Sequence, residues 1–189
     1  GAGAGGRAWG PAGEERGATQ PGPGGQTWGP AINTKTGDSG VANGFANECG
    51  VFSADGAFQG AWGTSGTGPG QFDFSAHRGT PQSVGAIAFT PDGSFFVADA
   101  GNIRIQKFDP NRHFLKMWGT FGSGDGQFAN PFGIVTDGKT VYVSDDDRGD
   151  IQAFTTGGKF LRSFGPVALS AGIFMTIDLA GTLYPAARQ

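Results

Sequence analysis

The chain has 189 residues, enough for one ordinary domain or an array of short repeats, and its net charge of -3 favours neither nucleic acid nor an anionic membrane surface. Glycine supplies 37 residues without a Gly-X-Y period, which excludes collagen, and 17 phenylalanines with 4 tryptophans make the chain too aromatic for wholesale disorder. The single cysteine, Cys49, excludes an internal disulfide, and no apolar run reaches the ~18 residues of a spanning helix.

Residues 1–29 are biased to Gly, Ala and Pro, and read as a linker-like segment or the end of a preceding unit; Arg7-Ala8-Trp9-Gly10-Pro11 has the pattern of a closing strand. From residue 30 onward, short strands and turns alternate. A worn first half-unit lies at "PAINTKTGDSGVAN" (30–43). It leads into "VANGFANECGVFSADGAFQGAWGTSGTGPGQF" (41–72), and the insert "DFSAHRGTPQS" follows. The next unit is the clearest: strand "AIAF", turn "TPDG", strand "SFFVAD", loop "AGN", strand "IRIQKFD", turn "PNRH", strand "FLKMWG". Its turn chemistry is explicit, since Pro91 pre-sets φ and Gly93 tolerates positive φ. Beta-branched and aromatic residues fill the strands, and helical periodicity is nowhere sustained. A third unit spans 131–165, and a partial one begins near 172 with "IFMTIDLAGTLYPA".

A shift of 56 residues carries Val41 onto Val97, Phe52 onto Phe108, Trp62 onto Trp118 and Gly70-Gln71-Phe72 onto Gly126-Gln127-Phe128. A shift of 46 carries Asp99 onto Asp145, Phe108 onto Phe154 and Phe114 onto Phe160. Four-stranded units at this spacing predict an all-β fold of β-propeller blades, about three complete, approximately 30–72, 84–128 and 131–165, with a partial blade at 172–189. A single blade cannot bury its own faces, so neighbours pack face to face.

"GIVTDGKTVYVSDDDRGDIQAFTTGGKFLRSFG" and "IAFTPDGSFFVADAGNIRIQKFDPNRHFLKMWG" resemble NHL repeats, whose pattern runs Gly-Ile-Ala-Val, Asp-Gly, Tyr-Val-Ala-Asp, Arg-Ile-Gln, Phe, Gly-x-Phe-Leu. The likeness is densest over 85–165. It implies a ring that members usually close with six blades, which at this repeat length needs about 250 residues, so the chain is expected to be a segment of a longer protein or to be completed by another chain. Pro185 departs from the family pattern by removing a ladder donor. The resemblance further implies a face that presents loops to protein partners. It also leaves open an amidating-lyase or lactonase-like propeller enzyme with ligands in other blades, and an RNA-binding domain like that of tripartite-motif NHL proteins.

The candidate sites are few. "GSGDG" and "GTGPG" look like phosphate loops, but Pro131 follows, no helix pattern does, and no Lys-Ser/Thr closes the motif. They read as connections between blades, with Phe72 and Phe128 tucked beneath. Asp145, Asp146, Asp147, Arg148 and Asp150 form the most charged stretch. Adjacent carboxylates repel, so a solvated loop, a partner contact, a hard cation or an Arg-Gly-Asp contact is expected there; the Asp-x-Asp-x-Asp-Gly cation spacing is absent. His77 and His113, in separate loops, make no zinc set, and no Gly-x-Ser-x-Gly nucleophile occurs. Cys49 reads as a small buried hydrophobe, Arg104 and Gln106 as links between blades, and Trp62, Trp118 and Phe164 as packing. The expectation is a non-enzymatic interaction or scaffold module. It assigns no catalytic residue, cofactor or metal, and predicts protein partners, no nucleic acid and no membrane insertion. The low charged share, with abundant Gly, Ser and Thr, leans towards the cell surface or an extracellular place.

Overall fold

The computed structural model describes residues 27–44, 46–75, 85–165, 174–178 and 180–186. Among these, every regular element is a strand, and none is a helix that could cross a membrane.

The first four-stranded sheet contains β1 (Thr27–Ile32), β2 (Ser39–Asn43), β3 (Glu48–Phe52) and β4 (Phe58–Trp62). Two short parallel strands, β5 (Thr64–Ser65) and β6 (Gln71–Phe72), close the connector that follows. The second sheet contains β7 (Gly85–Phe89), β8 (Phe95–Asp99), β9 (Arg104–Phe108) and β10 (Phe114–Trp118). The third contains β11 (Pro131–Thr136), β12 (Thr140–Asp145), β13 (Asp150–Thr155) and β14 (Phe160–Phe164). A two-stranded sheet, β15 (Phe174–Ile177) and β16 (Leu183–Ala186), begins a fourth unit. Each sheet is an antiparallel meander, and the opening strands β1, β7, β11 and β15 adjoin one another in turn. Pro185 lies on β16, whose other edge pairs with no strand among the described residues, a place where a missing N–H costs no ladder bond.

Burial is deepest in the second strand of each four-stranded sheet and least in the closing one. All of β8 is buried, whereas β10 and β14 are half-buried or exposed. Alternate side chains of each middle strand face the two neighbouring sheets, so each junction has its own core. Ala42, Cys49, Phe72, Phe95 and Phe108 fill the first; Phe96, Ile105, Phe128, Val141 and Phe154 fill the second. Trp62 meets Phe95 and Phe108 of the next sheet, and Trp118 meets Phe154, so each closing-strand Trp bolts its sheet to the one that follows. Cys49 is fully buried, and burial pushes its thiol well above the ordinary range, as suits an inert core residue.

The hairpins at one end share a mechanism. In Thr90-Pro91-Asp92-Gly93-Ser94, the N–H of Gly93 donates to the Thr90 carbonyl, the N–H of Ser94 donates to the Asp92 carboxylate, and Gly93 takes φ of 91°. His113 belongs to such a turn, with Nδ1 3.0 Å from the Asp109 carboxylate; His77 lies outside the described residues. At the other end, the loops between second and third strands meet the glycine-rich connectors. The residue that enters each third strand is left-handed: Asn47 at φ 51°, Ile103 at 55° and Gly149 at 66°.

Candidate functional site

The connector end gathers the charged and polar groups singled out in the sequence. A phosphate loop would present several backbone N–H groups outward. Here they are engaged within the chain. In the second connector the N–H of Gly122 donates to the Phe128 carbonyl, that of Gly124 to Gln127 Oε1 (2.9 Å), and that of Gly126 to Gln152 Oε1 (2.9 Å). The first connector repeats this with Gly66 to Phe72, Gly68 to Gln71 and Gly70 to Gln106. The amides of Gln106 and Gln152 then donate to the carbonyls of Gln71 and Gln127, both at 2.7 Å. Each buried glutamine is therefore a two-point clamp that fixes a connector to the following blade. Two kinds of constraint favour the glycines: a Cβ at Gly122 would stand 2.3 Å from the clamped Gln127 Oε1, whereas Gly126 has room for one but takes φ of 75°.

Asp145 departs from the solvated loop expected for it. It is fully buried, and its carboxylate accepts the N–H groups of Ala129 (2.6 Å), Asn130 (3.0 Å) and Arg148 (3.1 Å). Backbone donors therefore do what exposure or a counter-ion was expected to do. Asp99, its counterpart, accepts from the Asp73 N–H (2.7 Å), Arg104 Nε (2.7 Å) and Gln106 Nε2 (2.9 Å). Burial pushes both carboxyls above their ordinary value, against the pull of these donors. Asp147 is exposed and Asp146 half-buried.

The two arginines are placed differently in the repeat yet do the same work. The Arg104 guanidinium donates to the carbonyls of Thr67, Gly68 and Gln71. That of Arg148 donates to those of Gly122, Gly124 and Gln127. A shift of 46 carries Asn102 onto Arg148 and Arg104 onto Asp150. In the third blade the cation thus comes from two residues earlier, and the vacated position holds Asp150, which Arg148 grips through Nε and Nη2 (2.8 Å). The Arg-Gly-Asp side chains are turned towards each other, closed rather than splayed outward.

Charge divides sharply between the two ends. The connector end holds eight carboxylates (Glu48, Asp73, Asp99, Asp125, Asp145, Asp146, Asp147, Asp150) against Arg104, Arg148 and Arg162, whose guanidinium lies over the Phe164 ring, an excess of five negative charges among the described residues. The hairpin end sets six Lys and Arg side chains against six Asp. Among the described residues no three His, Cys, Asp or Glu side chains converge as a metal site.

A cavity of about 540 Å³ opens at this end, over the junction of second and third blades, lined chiefly by Phe121, Ser123, Asp147, Arg148 and Asp150. Neither the cavity nor the inward course of Asp145 was read from the sequence. The signal for Asp145 was present, since the 46-residue shift sets it, and not Asp146 or Asp147, on Asp99.

No family model matches the chain. It is 27% identical to the Drosophila melanogaster protein brain tumor over 114 residues, 59% of this chain and 11% of that protein. It is 33% identical to the Xenopus laevis peptidyl-glycine alpha-amidating monooxygenase B over 101 residues, 49% of this chain and 12% of that one. The chain therefore spans about a tenth of the curated relatives it matches. Among solved structures, a chain of the nidogen/laminin complex superposes with a TM-score of 0.64 at 20% identity, covering 87% of this chain and 58% of that chain. The WD40 beta propeller domain of Doa1 superposes at 0.57 with 11% identity, covering 86% and 48%. With three sequential four-stranded meanders side by side, these likenesses make the fold that of β-propeller blades.

Proposed function

We propose that the chain is a non-enzymatic interaction module, an arc of propeller blades that displays its connector-end loops to a protein partner, and that further blades complete its ring. The observation that carries this reading is the clamp network. Gln106, Gln152, Arg104 and Asp145 are buried, Arg148 is largely so, and all are spent on holding loops in place. Loops ordered in advance lose little entropy on binding, which is what a docking surface needs. The nidogen/laminin complex, in which a propeller of similar fold stands beside a partner, supports the same reading.

A second reading is a propeller enzyme of the amidating-lyase or lactonase-like kind. The 33% identity with the amidating monooxygenase favours it, and the catalytic ligands would then stand mostly in other blades. RNA binding, the third expectation from the resemblance, meets an excess of negative charge at the connector end that repels a polyanion. The test is to identify crosslinked partners, reconstitute binding with the purified partner, and assay the chain with zinc on lactone and amidated-peptide-precursor substrates. Saturable 1:1 binding without turnover is expected. Zinc-dependent turnover would transfer the chain to the second reading.

A further inference from the structure

The two blade junctions have the same backbone but different chemistry above it. In the first, Asp73 stands on the connector and leans against Gly101, where a Cβ would meet its carboxyl carbon at 2.5 Å. Gly101 also donates its N–H to the Asp73 carbonyl at 2.8 Å. In the second, the repeat sets Ala129 at the place of Asp73, Asp147 at the place of Gly101 and Phe121 at the place of Ser65. The carboxylate has moved from the connector to the facing loop, and an aromatic ring has been added on the connector side. The space these exchanges leave is the cavity of about 540 Å³, with Phe121 on its wall, 64% exposed.

We propose that this cavity receives a basic side chain, an arginine or lysine, of a protein partner. The inference rests on the interaction-module reading and names its chemistry. An aromatic wall, Phe121, with the Asp147 carboxylate at the rim beside the closed Arg148–Asp150 pair suits a cation that has both a charge and an apolar stem. Arg148, the one cation on this lining among the described residues, is held by Asp150 and three carbonyls, so its charge is largely answered within the protein. The field of the whole end adds to this. Five excess negative charges among the described residues steer a basic segment towards it and turn an acidic one away.

The test is a titration of the chain with a labelled eight-residue peptide of alternating arginine and serine, followed by fluorescence anisotropy and by amide chemical shifts. The same peptide with glutamate for arginine is the control. Asp147→Asn and Phe121→Ser are each expected to weaken binding about two- to fivefold, and together about tenfold. Shifts should centre on residues 121–123 and 147–150. Asp55→Asn, at the hairpin end, removes the same charge and is expected to change affinity less than twofold. Equal loss from Asp55→Asn would reduce the effect to bulk charge and overturn the proposal, as would equal binding of the glutamate peptide. Binding with shifts elsewhere and unaltered affinity in Asp147→Asn would overturn the cavity while leaving the interaction module standing. Circular-dichroism melts within about 2 °C of the parent are required of each variant, and Phe121→Leu replaces Phe121→Ser if that one melts early.

Discussion

Asp145 and Asp147 are two residues apart on one loop, and one anchors the fold while the other faces water. The difference comes from register. Asp145 closes the β12–β13 ladder opposite Asp150, at the point where the preceding connector's N–H groups arrive. Gln152 shows the cost of such a position. Its fully buried amide satisfies one donor and one acceptor of the connector, so Gln152→Ala strands both. A loss of about 2–4 kcal/mol in urea denaturation is expected, with Gln106→Ala behaving alike at the other junction. The carboxylates also sort by sign in pH. Hydrogen bonds from Thr90 and Ser94 hold the Asp92 carboxyl below its ordinary value. Its stabilising contribution is present above the unfolded pKa and is lost as pH falls through the folded one. Asp92→Asn should therefore flatten the acid limb of a plot of Tm against pH. Asp99 and Asp145 run the other way: with folded pKa raised, the native state takes up the proton first, so acidification through it costs no stability by these groups.

At the scale of the element, the relocated arginine is the informative case. Asn102 and Arg104 in the second blade become Arg148 and Asp150 in the third, and both arginines satisfy the equivalent carbonyls of Gly68 and Gly124 and of Gln71 and Gln127. Transplanting the second blade's pattern tests this equivalence. Arg148→Asn alone leaves Asp150 and three carbonyls without their cation, and a loss of about 2–3 kcal/mol is expected. Asp150→Arg alone sets two guanidinium groups side by side and should cost a similar amount. The double variant restores the Asn-x-Arg pattern beside Asp145 and should recover most of the loss, a coupling of about 1–3 kcal/mol by double-mutant cycle. Additive losses would show that Arg148 has a role that Arg104 lacks. This exchange also explains what a reader of the sequence could see. The Asp-Gly turns and the Gln-Phe pairs recur at fixed spacing, so strands and connectors were legible. A function that migrates by two residues breaks the alignment of letters while preserving the geometry, so the shared role of Arg104 and Arg148 was not.

Over the whole molecule, repetition makes the fold readable, and among the described residues it leaves one face of the first blade without a neighbouring sheet. In the second blade, Phe89, Phe95, Phe108 and Phe114 gather around the core of the first junction. On the first blade the corresponding face carries Ile32, 65% exposed, and the tilted pair Phe52 and Phe58, whose rings lie 5.3 Å apart. The same positions are thus core where a blade precedes them and surface where the described structure has none. If a further blade covers that face in the completed ring, a charge at Ile32 should matter only there. Ile32→Lys in the isolated chain is expected to leave Tm within about 2 °C, because an exposed position loses little burial, and to reduce concentration-dependent association in sedimentation velocity. In a protein with the preceding blade present, the same substitution should cost about 2–4 kcal/mol, the penalty for a cation in a sealed apolar junction. A large loss in the isolated chain would mean that Ile32 is already part of a closed core, and the arc would then need no blade on that side.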